Sequence, residues 1–326
     1  MSPLVDRVAL GLGAERLLRG KRRHALAIVM YHGVVEAALE PFCWHQLPVA
    51  AFDQQIAWLA QHRTVLPLAE ALSRLAEGTL PEDAAAVTFD DGYRNNLTRA
   101  LPILARHGVP ATVFVVTGRR GHDTRLWPDR LWKAVRDARA KTLDTSTLGL
   151  GTLDLGDVQA RGAAYGRVVH AVKEVDVSRW DELLDDLVTR LEPDPSAPPD
   201  ADFELLDDSE LATLDAHPLI DLGPHSVTHP ILSRCSNEQV AHEVAASCAE
   251  LAARHDTPPP VFAYPNGRTQ DFDERARHAV QLAGVRFALS TEHGLARRDS
   301  DPLALPRISV GADLPFSRFR LLLAGA

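Results

Sequence analysis

The chain has 326 residues, of which 45% are hydrophobic and 24% charged, and its formal net charge is −9. This acidic balance argues against a nucleic-acid partner, because phosphate binding favours a clustered basic face. Three scattered cysteines and the lack of a CxxC pair argue against a disulfide framework and a thiolate zinc site. The composition is that of a globular protein with a large core, and it leaves the oligomeric state open.

Residues 1–24 are predicted to form a helical lead-in, because apolar residues recur there at near-helical spacing. Charged residues interrupt the apolar runs of this segment, and no stretch of the chain approaches the ~20 apolar residues of a membrane-spanning helix. The expected location is therefore the cytoplasm. The basic cluster from Arg19 to Arg23 is interpreted as a solvated turn, with a peripheral contact to the inner face of a membrane as the alternative.

From residue 25 onward, apolar runs alternate with amphipathic segments. The first run, ALAIVMYHGV, is apolar on both faces, as in a strand of a parallel sheet. Such alternation predicts βαβ units and a parallel sheet. The predicted strands are 25–34, 84–91 and 111–118, and the predicted helices are 51–62, 67–78 and 95–108.

The region 119–204 has a different composition, with helical segments around a Gly- and Thr-rich stretch and a Pro-rich end, PDPSAPPD. We interpret it as a mainly helical insertion. Its tryptophans, Trp127, Trp132 and Trp180, are expected to be helix core rather than platforms for sugar rings. Alternation resumes at about residue 205, which gives roughly seven strand-plus-helix units. The sequence therefore predicts an α/β fold, a distorted (β/α)7-type barrel built from residues 25–118 and 205–315.

Polar residues follow several predicted strands, where α/β folds place their active sites. These strand ends carry Tyr31–His32, Asp90–Asp91, His225 with His229, and Tyr264–Pro265–Asn266.

The adjacent acids Asp90 and Asp91 end a buried strand and precede Gly92, which permits a sharp turn. Two neighbouring carboxylates can then enter one site from different directions, one as a metal ligand and one as a proton acceptor. Without a cation, each would raise the pKa of the other. The structural alternative is that Asp91 caps the helix that follows.

Two histidines, His225 and His229, follow the apolar segment LIDLG and are four residues apart. Imidazole nitrogen suits Zn²⁺, Fe²⁺, Co²⁺ or Ni²⁺, and two histidines with one carboxylate form an open metal site. The alternative is a pair of hydrogen-bonded loop histidines. The combination with the strand-end acids is more specific than either motif alone.

The segments VTFDDGYRNN and GPHSVTHPILS resemble the first two motifs of polysaccharide deacetylases, the carbohydrate esterase family 4 or NodB homology domain. The segments LAIVMYHGV, LPILARHGVPATVFV and FAYPNGR are also similar to that family. The resemblance covers about residues 25–118 and 205–310, and the insertion has no counterpart in it.

The resemblance implies a divalent metal, Zn²⁺ first and Co²⁺, Ni²⁺ or Fe²⁺ otherwise. It implies that Asp91, His225 and His229 bind the metal and that Asp90 is the catalytic base. In the family, a backbone N–H after the third motif helps to hold the oxyanion of the tetrahedral intermediate. Asn266 is the corresponding candidate here.

Two features depart from the family pattern. Ala263 occupies the place of an arginine that orients the catalytic base, and Arg268 is the candidate replacement, with a solvated surface arginine as the alternative. The histidine motif that supplies the general acid is not evident. His32 is favoured for that role over His293, because a strand end places it on the catalytic face.

The predicted function is metal-dependent removal of an acetyl group, N-acetyl above all, from a carbohydrate. The expected substrate is an exopolysaccharide, lipopolysaccharide or oligosaccharide precursor, since a cytoplasmic enzyme meets precursors rather than finished polymers. The alternatives are an amidohydrolase acting on a non-sugar C–N bond and a catalytically silent carbohydrate-binding protein.

Overall fold

The computed structural model describes residues 3–13, 18, 20, 24–118, 125–197, 200–255, 257 and 259–325. The cationic residues of the cluster 19–23 lie outside the described residues, so its interpretation stays a prediction. Within the described part, no helix combines the length and apolar character needed to span a membrane.

The strands are short, and most are separated by helices. They are β1 (Ala25–Tyr31), β2 (Gly33–Val35), β3 (Gln46–Pro48), β4 (Thr64–Val65), β5 (Ala84–Phe89), β6 (Ala111–Val115), β7 (Thr142–Asp144), β8 (Thr152–Asp154), β9 (Ile220–Pro224), β10 (Val261–Ala263), β11 (Phe287–His293), β12 (Ala296–Arg297) and β13 (Leu305–Ser309).

The α-helices are α1 (Pro3–Gly11), α2 (Val49–His62), α3 (Leu68–Glu77), α4 (Leu101–His107), α5 (Trp127–Arg136), α6 (Val158–Lys173), α7 (Trp180–Leu191), α8 (Asp208–Asp215), α9 (Asn237–His255), α10 (Glu274–Leu282) and α11 (Phe316–Leu323). A π-helical turn (Asn96–Ala100) precedes α4, and 3-10 turns occupy Ser146–Leu148, Val177–Arg179, Ala201–Phe203 and Leu232–Arg234.

Seven parallel strands surround the centre of the molecule in the order β10-β11-β13-β1-β5-β6-β9. The two end strands, β9 and β10, contact each other without forming a ladder, so the barrel is nearly closed. Both β1 and β5 are buried along their whole length, as their continuous apolar runs require. The predicted (β/α)7-type barrel is confirmed.

Glycines end the helices on the outside of the barrel at the predicted positions. Gly78 and Gly108 follow α3 and α4 with φ of 78° and 64°. This left-handed conformation suits glycine, which has no Cβ to clash with the backbone.

The described insertion consists of α5, α6 and α7 with the antiparallel pair β7–β8. Its hydrophobic cluster contains Trp127, Trp132 and Trp180, which are at most 6% exposed. The expectation that these tryptophans are core residues is confirmed. At the other end of the chain, α1 packs against α11. On this basis we propose 1–24 as a lead-in, 119–204 as an insertion with its own core, and 25–118 with 205–315 as the barrel.

Candidate active site

A pocket of about 470 Å³ lies at the carboxyl ends of the barrel strands. Asp90 and Asp91 follow β5, and His225 directly follows β9, so strand ends deliver them to the same edge of the barrel. Tyr31 and Tyr264 are placed elsewhere. Tyr31 donates to Gln55 Oε1 (2.9 Å), and Tyr264 stacks on Phe272 in the core.

Asp91, His225 and His229 form a group that fits a metal ion. Their ligand atoms all lie within 4.8 Å of one another, and the three side chains are buried. Asp91 Oδ1 is 3.5 Å from His225 Nε2 and 3.3 Å from His229 Nε2. The same Oδ1 is buried without a hydrogen-bond partner in the described structure, which is costly unless a cation satisfies it. The alternative that Asp91 caps a helix is not realised, because the helical residues begin at Arg94, directly after Tyr93, and Asp91 Oδ1 accepts no hydrogen bond from their backbone N–H groups.

Neighbouring groups fix the orientation of His225. Its Nδ1 donates to the carbonyl oxygen of Ala263 (2.7 Å), which leaves Nε2 with a lone pair directed toward Asp91. A backbone acceptor on the second ring nitrogen is the usual support of a metal-ligating histidine. Ala263, which stands where the family has an arginine, therefore contributes to the site through its backbone.

The loop that carries His229 is anchored by Glu243 on α9. The Glu243 carboxylate accepts from the N–H groups of Val227 and Thr228 (both 2.8 Å) and from the Thr228 hydroxyl (2.6 Å). Within the loop, Ser226 Oγ accepts from the His229 N–H (3.0 Å). A buried, fully engaged carboxylate thus holds the loop against the barrel.

Asp90 is held by Arg307 on β13. Two parallel hydrogen bonds of 2.7 Å join the guanidinium to both carboxylate oxygens, and both side chains are buried. Burial opposes ionisation of Asp90, but Arg307 outweighs it and the pKa of Asp90 is lowered. The Arg307 Nε also donates to the carbonyl of Ser290 (2.8 Å). Arg307 therefore keeps a buried carboxylate charged and oriented.

This arrangement corrects one expectation from the sequence. The arginine on Asp90 is Arg307, whereas Arg268 is exposed and lines the outer part of the pocket. Arg268 follows β10 in a surface loop, and its N–H donates to Asp271 (3.0 Å). A sequence signal for Arg307 is its place in the otherwise uncharged segment ALPRIS, where Pro306 and Ile308 stand on either side of it.

Backbone strain is concentrated at the pocket. Asp91, Ser226, His229 and Asn266 have φ between 59° and 76°, a region that non-glycine residues seldom occupy. Such conformations cost about 1–3 kcal/mol each and persist where the surroundings over-determine them, as at functional sites. Gly92 continues the turn after Asp91, and a Cβ there would lie 2.9 Å from Val115 Cγ1.

The sequence profile of polysaccharide deacetylases matches residues 77–144 and 189–288, which is about half of the chain. The chain belongs to the polysaccharide deacetylase family. This confirms the resemblance drawn from the motifs, and the family is one of deacetylating hydrolases.

One similar protein is the poly-beta-1,6-N-acetyl-D-glucosamine N-deacetylase of Staphylococcus aureus, 36% identical over 122 residues. The match covers 34% of this chain and 42% of that protein. The chain spans less than half the length of the curated relatives that it matches first.

Two solved structures share the fold over nearly their whole length. IcaB from Ammonifex degensii superposes with a TM-score of 0.59 at 17% identity, covering 92% of this chain and 97% of that one. The Streptococcus pyogenes deacetylase PplD, in complex with acetate, gives a TM-score of 0.55 at 17% identity, covering 92% and 98%.

Two histidines of this polysaccharide deacetylase family member are candidates for the general acid. His32 lines the pocket, whereas His293 is exposed at the end of β11. His32 Nδ1 is buried without a hydrogen-bond partner in the described structure. Burial lowers the pKa of His32 to about 4, against the opposing effect of Asp91 and Asp90. Its ring is therefore neutral at neutral pH and has one nitrogen available to a ligand.

A second histidine in the pocket, His45, is not suggested by any motif. Its Nε2 lies 3.0 Å from Asp129 Oδ1, and Asp129 Oδ2 accepts from the Tyr93 hydroxyl (2.7 Å). Burial favours neutral His45, but Cys43 and Asp129 outweigh it and raise the pKa of His45 well above its usual value. Both ring nitrogens of His45 face protein partners, Asp129 and Cys43, so this cluster is suited to bracing the pocket.

The exposed ring of Trp44 lines the same pocket from the loop between β2 and β3. It is 43% exposed and packs edge-on against His32, with ring centroids 5.0 Å apart. An aromatic face exposed beside the site can cover the apolar C–H face of a sugar ring.

Proposed function

We propose that this protein is a metal-dependent deacetylase that removes N-acetyl groups from a carbohydrate. The observation that carries the proposal is the placement of Asp90, paired with Arg307, beside the buried group Asp91, His225 and His229. A charged base beside a three-ligand metal site is an arrangement that can hydrolyse an amide, because the base can deprotonate a water that the metal activates.

Asp91, His225 and His229 would hold the metal through one carboxylate oxygen and two imidazole nitrogens, a donor set that suits Zn²⁺ first and also Co²⁺, Ni²⁺ or Fe²⁺. When bound, such an ion polarises the acyl carbonyl and lowers the pKa of water. The unpartnered Asp91 Oδ1 and the orientation of His225 by Ala263 support this assignment.

Asp90 is assigned as the base that takes a proton from the attacking water. The ion pair with Arg307 lowers the pKa of Asp90 and so keeps the carboxylate negatively charged at neutral pH. The two hydrogen bonds also fix the orientation of both carboxylate oxygens. When the C–N bond breaks, the departing amine requires one proton, which balances the proton taken from water. Neutral His32, with its free ring nitrogen in the pocket, is assigned to accept that proton from Asp90 and to pass it to the leaving nitrogen.

The backbone N–H of Asn266 is assigned to stabilise the oxyanion of the tetrahedral intermediate. Asn266 lines the pocket after β10, and its left-handed backbone, with φ of 59°, is held by a hydrogen bond from the Thr291 hydroxyl to the Asn266 carbonyl (2.8 Å). A fixed backbone N–H aimed at developing negative charge is an effective stabiliser, because it needs no reorganisation during the reaction.

The proposed substrate is an acetylated hexosamine chain or precursor, and a cytoplasmic location stays a prediction. Trp44 beside the site and the name of the Staphylococcus aureus relative support an N-acetylglucosamine unit. An exopolysaccharide, lipopolysaccharide or oligosaccharide precursor is compatible with this chemistry.

The test uses the full chain loaded with Zn²⁺, Co²⁺ or Ni²⁺ and measures acetate release from β-1,6-linked N-acetylglucosamine oligosaccharides. We expect release with at least one metal and a loss of about 10²–10⁴-fold in kcat for Asp90→Asn, with metal binding retained. Exposed Asp299, on the surface away from the pocket, provides the matched control Asp299→Asn. Ammonia release from cyclic amides without acetate release would favour the amidohydrolase alternative, and sugar binding without hydrolysis by any metal form would favour a silent binding protein.

A further inference from the structure

Two cations line the pocket from separate elements. Lys173 is the last residue of α6 in the insertion, and Arg268 follows β10 in the barrel. Within the described residues, neither side chain forms an ion pair or a side-chain hydrogen bond. Other arginines of the described structure are paired, for example Arg99 with Asp202 and Arg277 with Asp301. The pocket therefore contains unused positive charge.

The acids around these two cations are engaged elsewhere. Glu174 pairs with Arg234 (2.6 Å), and Glu292 accepts from the N–H and hydroxyl of Thr269 (both 2.8 Å). Asp271 is buried and accepts from the backbone N–H of Arg268 rather than from its guanidinium. Among the residues that the structure describes, no acidic side chain is in direct contact with either cationic side chain.

The environment of Lys173 makes its positive charge unfavourable without a ligand. Lys173 is half-buried, and burial lowers its pKa, with Arg268 adding to the effect and Asp271 opposing it. The positive charge of Lys173 also contributes to lowering the pKa of His229, which places the ammonium within electrostatic range of the metal-binding group. A partly desolvated ammonium such as that of Lys173 is costly unless an anion satisfies it, and exposed Arg268 adds a second positive charge beside it.

We propose that Lys173 and Arg268 form a binding subsite for an anionic substituent of the sugar substrate, a carboxylate or a phosphate. The inference rests on the proposed deacetylase function and defines its substrate class as an acidic acetylated sugar. A guanidinium presents paired donors that match the oxygens of carboxylate and phosphate, and an ammonium adds a compact charge.

Three ligands test the subsite and separate the two sources of negative charge. They are a neutral N-acetylglucosamine oligosaccharide, an oligosaccharide of N-acetylhexosaminuronate, and a nucleoside-diphosphate N-acetylglucosamine. Binding is measured by calorimetry on metal-loaded Asp90→Asn, so that the result does not depend on turnover. Acetate release by the enzyme with an intact Asp90 is measured in parallel. We expect at least one acidic ligand to bind about tenfold more tightly than the neutral one, with a preference that weakens as ionic strength rises.

In the Asp90→Asn background, Lys173→Gln and Arg268→Gln are each expected to reduce the preference for the acidic ligand by about threefold. Lys173→Arg, which keeps the charge, should restore most of it. The matched control is Lys141→Gln, because Lys141 is exposed in the insertion and does not line the pocket. Thermal melting checks that each variant is folded.

Equal affinity for the neutral and acidic ligands would overturn the proposed subsite. The same conclusion would follow if Lys173→Gln and Arg268→Gln reduced the affinity for the neutral ligand as much as the affinity for the acidic one. Tight, Lys173-dependent binding without acetate release would keep the subsite and contradict the proposed hydrolysis. A preference for the uronate over the nucleotide sugar, or the reverse, assigns the source of the charge.

Discussion

The two walls of the pocket are built differently. The inner wall consists of strand-end side chains, Asp90, Asp91, His225 and His229, with Arg307 from β13 behind them. The outer wall consists of Trp44 and His45 from a loop and of Asp129, Tyr165 and Lys173 from the helices of the insertion.

On the inner wall, each charged group has a fixed partner or belongs to the candidate metal-binding group Asp91, His225 and His229, so this wall is suited to one reaction. The outer wall combines the exposed ring of Trp44, His45 held by Asp129, and Lys173 without an ion pair in the described structure. These groups are suited to contacting a substrate. Under the proposed function, the barrel would carry the chemistry, and the loop and the insertion, together with Arg268, would select the substrate. Variants of each wall should therefore affect different kinetic parameters.

The largest effect is expected from Arg307→Gln on the inner wall. Without the guanidinium, burial raises the pKa of Asp90, so the acid limb of the kcat/KM profile moves to higher pH. Leaving a buried carboxylate unpaired also costs about 3–5 kcal/mol of unfolding free energy. A pH–rate profile and denaturant unfolding measure the two effects.

The control for this variant is the double variant Asp90→Asn with Arg307→Gln, which removes both charges. It should be more stable than Arg307→Gln alone, because no unpaired charge stays buried. An acid limb that does not move in Arg307→Gln would contradict the role assigned to Arg307.

A smaller effect is expected from Asp129→Asn on the outer wall. It weakens the contacts with both His45 and Tyr93, so the unfolding free energy should fall by about 2 kcal/mol and KM should rise. Metal affinity, which belongs to the inner wall, should stay at its original value. Thermal melting, steady-state kinetics and metal titration check this, with exposed Asp299→Asn as the matched control. Loss of metal affinity in Asp129→Asn would break the division between the walls.

The smallest effect is expected from Trp44→Ala. Losing the aromatic face should raise KM about fivefold and leave kcat near its original value, because Trp44 is proposed to contact the sugar ring rather than the reacting atoms. Phe42→Ala is a matched control, since Phe42 is exposed in the same loop but does not line the pocket. A lowered kcat with unchanged KM would assign Trp44 to the chemistry.

The inner wall was largely predictable from the sequence, because strand periodicity and motif spacing act locally. Asp90 and Asp91 end an apolar run, and His225 and His229 follow another, so the rule for parallel strands brings the two pairs together. Arg307 was missed as the partner of Asp90, since a residue 217 positions away has no spacing relation to it.

The outer wall could not be predicted in the same way. His45 and Asp129 are 84 positions apart and meet only because the insertion packs on the barrel. The periodicity of α5 indicates which face is apolar, but it does not indicate which loop lies opposite Asp129. The core role of Trp132 was predictable because it depends on the local helical pattern alone.

Asp129 has a consequence for how such proteins can diversify. Its two oxygens join α5 to His45, ahead of β3, and to Tyr93, just beyond β5. A foreign insertion lacking this acid would leave the His45 imidazole and the Tyr93 hydroxyl without their acceptor. Exchange of insertions among relatives thus requires compatible residues at 45 and 93, and chimaeras that ignore this dependence should accumulate as aggregates.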